Sequence, residues 1–574
     1  MAYLKSYQSL RLRLFLLFIF FALAFTAMVG RLFKLSIVQH RSYIEAAARQ
    51  HVVSEILPPE RGRIFFRDKK NTLHPAALSR NVATLVAYPR DIKDPPAVIE
   101  ALAERFGMER TELEKKLGNP DDAYEIIKKD LSDADIEFIR KLPGQGLRIE
   151  VVSRRIYPAG ELGAGIIGFA SFDQGKENGE YGIEKQYQAA LAGEYGFFEG
   201  EFGATGFWVP IGKRILNPKV NGSAVVLTID RNIQFVLEET LERLIKKWRP
   251  ELGLAVVLEP ESGKILALAS RPTFNPNEYS KTKDYSLFRM PVVDSQFELG
   301  SVFKPITMAA ALNEGVLQPD TTYNDTGVAT FGGATIKNFD GKAHGIQTMT
   351  QVLEKSLNTG IVWVEEKLGD FRFLDYIERF GFGAKSGIDF PSEITGNISN
   401  LQTGRDIEFA TAAFGQGIAV TPLQMAVAVG AIANNGVLMK PYIVDKIIDD
   451  SGNETSFFPK PMGAVIRRET SETLTKMLVS TVRSGFENKA GVKGYFVAGK
   501  TGTAQIPLKD RRGYSDEVIH TFVGYAPAFR PKFLILLQLN KPGGNRFAAN
   551  TLTPAFHDLA EFILNYYEIP PDEK

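Results

Sequence analysis

The sequence predicts an α+β multidomain protein, built on an antiparallel sheet with helices on both sides and preceded by one apolar N-terminal span. Three observations carry this. A chain of 574 residues, 44% of them hydrophobic, is too long for one compact core and has enough apolar material for two or three. The apolar runs Leu254–Leu258 and Ile265–Ala269 flank a Glu-Pro-Glu-Ser-Gly turn, which is a hairpin pattern. Two further strand-like runs, Thr521–Tyr525 and Phe533–Leu539, precede a helical stretch at Ala555–Tyr566, so helices bracket hairpin-linked strands.

The elements follow in chain order. From Leu14 to Gly30 no charge interrupts the apolar sequence, and Arg11, Arg13, Arg31 and Lys34 flank it. At 1.5 Å per residue this run covers roughly 25 Å, the lower limit for a membrane span, and the flanking arginines can snorkel to complete it. Ala22-Leu23-Ala24 and the small residues near Gly30 also fit a cleaved signal peptide. The run's length, and a helical pattern continuing through Leu32, Leu35, Ile37 and Val38, favour a retained anchor. Basic residues balance on the two sides (Lys5, Arg11 and Arg13 against Arg31, Lys34 and Arg41), so charge does not orient the span.

Between about Pro58 and Pro218 the pattern is irregular, with a strand-like stretch at Val82–Ala87 and one charge-rich helical stretch from Pro95 to about Leu142. Tyr195 to Gly212 is crowded with glycine and aromatic residues, which predicts extended strands and turns with a linker role. Val225–Asp230 reads as a strand ending in the N-cap of a helix through Gln234, Leu237, Leu241 and Ile245.

Composition narrows the function. Lys and Arg number 68 against 67 Asp and Glu, which argues against nucleic acid as a partner. The absence of cysteine excludes disulfides, thiolate metal sites and a cysteine nucleophile, and suits an oxidising compartment. The six histidines show no metal-ligand spacing.

Three short motifs carry chemistry. In Ser301-Val-Phe-Lys304, followed by the apolar run Ile306–Leu312, a helix would bring the serine hydroxyl and the lysine amine onto one face. A lysine serves as base only if burial or a neighbouring charge favours its neutral form. The motif is weak alone, since Ser280-Lys-Thr-Lys283 repeats the spacing in a polar stretch that reads as solvated loop. Ser356-Leu-Asn358 lies at the junction of two helical patterns, where a hydroxyl could relay a proton and a carboxamide could hold a peptide backbone. Ser79-Arg-Asn81 and Ser451-Gly-Asn453 share that spacing, so standing alone the motif reads better as a polar helix-turn. Lys500-Thr-Gly-Thr503 occurs once. On a strand edge, Gly502 would admit a substrate, Lys500 and the hydroxyls of Thr501 and Thr503 would grip a carboxylate, and the Thr503 amide would join that of Ser301 as an oxyanion hole. A phosphate-binding turn is the alternative, since Gly494 with Gly499-Lys500-Thr501 gives the GxxxxGK[ST] spacing of a P-loop.

In this order the three motifs resemble the signature of penicillin-binding proteins and class A β-lactamases. The middle element, SLN where lactamases have SDN, points to the penicillin-binding side. Arg61-Gly-Arg-Ile64 with Asp68, Arg155-Ile-Tyr-Pro-Ala-Gly160 with Ile167-Gly-Phe169, and Gly182-Ile-Glu184 with Tyr187 and Leu191-Ala-Gly193 resemble the non-catalytic pedestal of class B penicillin-binding proteins. Leu227-Thr-Ile-Asp230, Phe414-Gly-Gln-Gly417 and Thr421-Pro-Leu-Gln424 extend the likeness. Two positions depart from the pattern: Leu299-Gly300 stands where Pro-Gly is usual, and Phe66-Arg-Asp-Lys69 where Asp-Arg-Asn-Gly is common.

The resemblance implies a cytoplasmic tail (1–13), a transmembrane helix (14–30), an elongated dimerisation-type pedestal (31–218) and a transpeptidase domain of β-lactamase-like fold (219–574). It implies a D,D-transpeptidase with Ser301 as nucleophile, Lys304 as base, Ser356, Asn358 and Lys500 as further catalytic residues, and Thr501, Gly502 and Thr503 as substrate-binding residues. No cofactor or metal is implied. Implied partners are peptidoglycan stem peptides on lipid-linked precursor or nascent glycan, β-lactams, a multi-pass glycan polymerase of the SEDS family, division proteins and the membrane. The implied location is the bacterial cytoplasmic membrane, single-pass, with the catalytic domain outside. Gly494–Lys500 and Asn358 lean toward the division branch. A D,D-carboxypeptidase or slow lactamase is the enzymatic alternative, and a β-lactam-binding scaffold or sensor the non-enzymatic one.

Overall fold

A computed structural model of the chain describes residues 2–39, 52–119, 122, 124–142, 146–173, 176–201, 215–331, 333–485, 487–508 and 513–572. They fall into two compact units, one of Met1–Pro59 with Glu194–Val220, the other of Glu60–Gly193 with Asn221–Lys574.

The first unit holds helix α1 (Ala2–Phe33), which runs into a π-type turn at Lys34–Val38. Phe15–Ile37 is long and apolar enough to cross a membrane. At helical rise it covers about 34 Å, more than the uncharged run alone, because the helical pattern past Gly30 is helix in fact. The unit also holds a three-stranded antiparallel sheet of Val52–Leu57, Gly196–Glu201 and Ile215–Asn217. Thus the start of the glycine-rich stretch is extended, and its remainder, 202–212, lies outside the described residues.

The second unit begins with strands β1 (Ile64–Arg67), β2 (Leu73–Ala87) and β3 (Leu147–Ile156), paired β1-β2-β3. The stretch Pro95–Leu142, read as one helical segment, is four elements: helices Pro95–Phe106 and Arg110–Leu117, strand Glu125–Lys128, and helix Asp133–Lys141. Local signals override the overall helical composition. Gly107 stops the first helix in a left-handed cap, and Ser132 starts the last through a capping box with Asp135. Leu102, Leu113, Ile127 and Ile139 give this insertion its own core.

Strand β4 (Ala224–Asp230) lies parallel to β1. Its last residue caps helix α2 (Arg231–Trp248), the Asp230 carboxylate accepting from the amides of Asn232 (2.9 Å) and Ile233 (3.1 Å). The sequence-predicted hairpin is β5 (Leu252–Leu258) and β6 (Ile265–Arg271), and it forms one end of a five-stranded antiparallel sheet. Between the hairpin and the remaining strands come helices α3 (Lys304–Asn313), α4 (Met349–Glu354), α5 (Asn358–Leu368), α6 (Asp370–Arg379), α7 (Pro422–Ala433) and α8 (Arg468–Ser480). Strands β7 (Ala498–Pro507), β8 (Tyr514–Ala526) and β9 (Phe533–Asn540) complete the sheet in the order β6-β5-β9-β8-β7, so β7 is an edge. A short helix α9 (Ala548–Thr551) and the C-terminal α10 (Thr553–Tyr566) close the chain.

Both faces of this sheet are covered, which explains why its strands read as unbroken apolar runs. Leu254 and Val256 of β5, Leu534 and Leu536 of β9, and Val523 of β8 join the core of α3, α7 and α8. Their neighbours Ala255, Val257, Ile535, Leu537 and Phe522 face α2 and α10. Side chains alternate along each strand, so every residue of these runs is buried on one side or the other.

Candidate active site

The turn Gly300–Phe303 delivers Ser301 to the start of α3, a helix whose ten residues are all buried. Gly300 holds φ at +63°, and its amide donates to the Gly415 carbonyl at 3.1 Å. A side chain here would meet Ala504 Cβ at 3.0 Å and the Thr503 carbonyl at 3.2 Å. Glycine therefore provides the entry turn, and Leu299 stands in for the usual proline with its side chain buried.

Burying α3 takes Lys304 with it, to 0% exposure. Its amine donates to the Ser356 carbonyl (2.6 Å), Asn358 Oδ1 (2.8 Å) and Ser356 Oγ (3.3 Å). Burial, and secondly the charge of Lys500, push the Lys304 amine well below the ordinary lysine range. Among the described residues no carboxylate pairs with it. Ser301 Oγ likewise has no protein hydrogen bond among the described residues, so the lysine is tethered to the second motif and not to the serine three positions back.

Ser356 sits between α4 and α5 with φ at +54°, an uncommon conformation for a residue with a side chain. That turn points its hydroxyl at both lysines: Lys500 Nζ donates to Ser356 Oγ at 2.9 Å and Lys304 Nζ at 3.3 Å. Lys500 is also 0% exposed, and burial pushes its amine down to about 7. Asn358 opens α5, and its amide donates to the Lys337 carbonyl at 2.9 Å.

Lys500–Thr503 lies on the edge strand β7, directly against the Gly300–Phe303 turn. A Cβ on Gly502 would stand 2.4 Å from the Leu299 carbonyl and 3.1 Å from the Val302 amide nitrogen. Thr503 Oγ1 accepts from the Ala548 amide at 3.2 Å, which ties the edge strand to α9. Lys304, Ser356, Asn358 and Lys500 are thus joined by hydrogen bonds, with Gly502 against the turn that carries Ser301 and Thr501 and Thr503 beside it on β7, whereas Ser280–Lys283 lies at the end of the 3₁₀ helix Pro276–Lys281, Ser79–Asn81 lies on β2, and Ser451–Asn453 lies in a hairpin turn.

Sequence reading did not find the groups behind Asn358. Asp325 is buried and accepts from Thr359 Oγ1 (2.7 Å), Asn338 Nδ2 (2.9 Å), and the amides of Gly327 and His344 (both 3.0 Å). These bonds hold its carboxyl below the usual carboxylate range against the opposing effect of burial. Asn338 Oδ1 in turn accepts from the Thr359 backbone amide at 3.2 Å. No local motif links positions 325, 338 and 359. The family motifs near the site do have visible work: Gly415 accepts from Gly300, and Thr421 and Gln424 form a capping box at the start of α7.

Comparison with known proteins places this geometry. The family model for the penicillin-binding protein transpeptidase domain matches residues 253–561, and that for the penicillin-binding protein dimerisation domain matches 56–227. Stage V sporulation protein D of Bacillus subtilis is 34% identical over 503 residues, 86% of this chain and 76% of that protein. Peptidoglycan D,D-transpeptidase FtsI of Escherichia coli K12 is 28% identical over 576 residues, 96% of this chain and 91% of that protein. The crystal structure of penicillin-binding protein 3 from Mycobacterium tuberculosis complexed with ampicillin superposes with a TM-score of 0.70 at 26% identity, covering 91% of this chain and 98% of that one. With its transpeptidase and dimerisation domains both matched, the chain belongs to the class B penicillin-binding proteins.

Proposed function

We propose that this protein is a peptidoglycan D,D-transpeptidase that cross-links stem peptides through an acyl-enzyme on Ser301. The carrying observation is the hydrogen-bonded set of two buried lysines, Lys304 and Lys500, with the half-buried Ser356 and Asn358, and β7 packed against the Ser301 turn. Ser301 Oγ attacks the penultimate D-alanine carbonyl of a donor stem peptide, its proton passing to the neutral Lys304 amine. The Ser301 and Thr503 amides hold the oxyanion, and Lys500 with Thr501 and Thr503 binds the terminal carboxylate. The carbon–nitrogen bond breaks, and Ser356, bonded to both lysines, passes a proton to the departing D-alanine. An acceptor stem-peptide amine then attacks the ester, forming the cross-link and returning the proton to Ser301. A β-lactam follows the same first step, and its opened ring stays on the serine.

Residues 1–13 form the cytoplasmic tail, the apolar segment the anchor, 31–218 the pedestal and 219–574 the transpeptidase domain. Because the substrate is displayed outside the cytoplasmic membrane, the catalytic domain lies there. A multi-pass SEDS glycan polymerase and division proteins are the partners, in septal synthesis. A relative named for sporulation supports a role in a dedicated wall-building event. Peptide mass spectrometry after penicillin labelling tests the assignment, with the adduct expected on Ser301. Label on another residue overturns it. Release of D-alanine without cross-linked product, in the presence of an acceptor amine, would instead make the enzyme a carboxypeptidase.

A further inference from the structure

Two exposed aromatic side chains, Phe339 and Phe547, link two sides of the candidate site. On one side, Asn358 joins Lys304 to the Lys337 carbonyl and Asn338 binds Asp325 and Thr359. Phe339 is the next residue. The other side is the edge strand β7, whose Thr503 hydroxyl accepts from the Ala548 amide. Phe547 immediately precedes that amide. The two rings meet edge to face, with centroids 5.8 Å apart and planes at 73°.

This contact closes a ring of interactions around the site. At its base Lys304 and Lys500 meet on Ser356, each lysine 0% exposed. At its far side Phe339 is 56% exposed and Phe547 is 41% exposed, so that part of the ring lies at the surface. The base is rigid, because α3 is wholly buried and Asp325 and Asn338 are multiply hydrogen-bonded. The ring pair is the weak link. An exposed edge-to-face contact shifts an equilibrium by only roughly two- to ten-fold.

We propose that Phe339 and Phe547 form an aromatic gate across the cleft, whose parting decides which acyl donors reach Ser301 by their bulk. Compact donors enter beside the pair; donors with a large side group reach the serine only when the rings separate. This rests on the reading of Ser301 as the acylated residue.

The test follows acylation by intact-protein mass spectrometry with two penicillins, 6-aminopenicillanic acid as the compact probe and a fluorescent penicillin as the bulky one. Phe339→Ala and Phe547→Ala are each expected to raise the second-order rate with the bulky probe by about three-fold or more, with the double variant no faster than either single. The compact probe is expected to change by less than about two-fold in all three. Single effects that multiply in the double variant, or rates with the bulky probe that stay unchanged or fall, would overturn the gate. A second arm uses the absence of cysteine from the chain. A bis-methanethiosulfonate cross-linker, which joins Phe339→Cys and Phe547→Cys through disulfides with loss of sulfinate and is cleaved by a reductant, is expected to slow the bulky probe by about ten-fold, with recovery on cleavage. An undiminished rate in the cross-linked protein would also overturn it. If wild-type protein is labelled away from Ser301, the site assignment fails; if it is labelled at Ser301 and the variants match it, the gate alone fails.

Discussion

Lys304 can act as the proposed base only when neutral, and both its burial and the Lys500 charge favour that form. Removing the Lys500 charge makes the Lys304 ammonium easier to keep, so its pKa rises and the neutral base appears at higher pH. Lys500→Gln is accordingly expected to shift the acid limb of the acylation-rate profile toward higher pH, read from second-order penicillin acylation across the pH range. Lys304→Arg keeps the charge permanently and is expected to lower acylation by on the order of a thousand-fold or more. No carboxylate among the described residues hydrogen-bonds Lys304 or Ser356. The penicilloyl adduct is expected to persist for many minutes, and rapid turnover of a fluorescent penicillin would contradict that. At this scale the sequence was a good guide to residue types and a poor guide to partners. Ser301-Val-Phe-Lys304 looked like a serine–lysine pair, yet the lysine's donors go to residues more than fifty positions away, because the helix that buries it also aims it at the α4–α5 junction.

Among the elements, α5 couples the site to a second buried acid. Glu365, seven positions after Asn358 on that helix, is 2% exposed, with a carboxyl oxygen that lacks a partner among the described residues. Burial, and then the neighbouring Asp370 at the start of α6, push its carboxyl from 4.5 up to about 9. Between those values the folded chain keeps a proton that the unfolded chain has lost, so stability falls as pH rises through the interval. Glu365→Gln is expected to flatten this dependence and to make the protein more stable than wild type at pH 8, by on the order of a few kcal/mol. Thermal melts of both proteins at pH 5 and pH 8 would show it. Edge strand β7 makes a different demand. Gly502→Ala drives a methyl into the Leu299 carbonyl, and since either the strand or the Gly300–Phe303 turn must move, acylation is expected to drop about a hundred-fold and the melting temperature to fall with it. The existence of these elements was legible in their apolar runs. The division of Pro95–Leu142 into four was less so, because it depends on single residues such as Gly107 and Ser132.

Across the whole second unit, the pedestal motifs converge on one buried cluster. Glu184 receives Arg61 Nε (2.8 Å), Arg155 Nε (2.6 Å) and Tyr157 OH (3.2 Å), while Arg155 also donates to the Gly62 carbonyl (2.7 Å). Burial opposes both charges, but the two guanidiniums hold the Glu184 carboxyl below the usual carboxylate range and Glu184 in turn raises the Arg155 guanidinium. Glu184→Ala would leave two buried guanidiniums without a counter-charge. It is expected to cost about 3–5 kcal/mol, measured by denaturant unfolding, without displacing Ser301 chemistry in the folded fraction. A similar pin joins distant segments at Asp389, which accepts from Tyr187 OH (2.9 Å), Ile443 N (2.7 Å) and Val444 N (2.9 Å).

By itself the sequence determined the α+β class, the helix at the N-terminus, the strands of the central sheet, and the identity of the residues that meet at the site. These rest on short-range rules: uninterrupted apolar runs, caps, turns and motif spacing. Tertiary structure alone decided that Lys304 faces Ser356 and Asn358, that Asp325, Asn338 and Thr359 brace them, and that Phe339 meets Phe547. Those contacts join positions tens to hundreds of residues apart, and their energies come from burial and mutual hydrogen bonding, which no local pattern encodes.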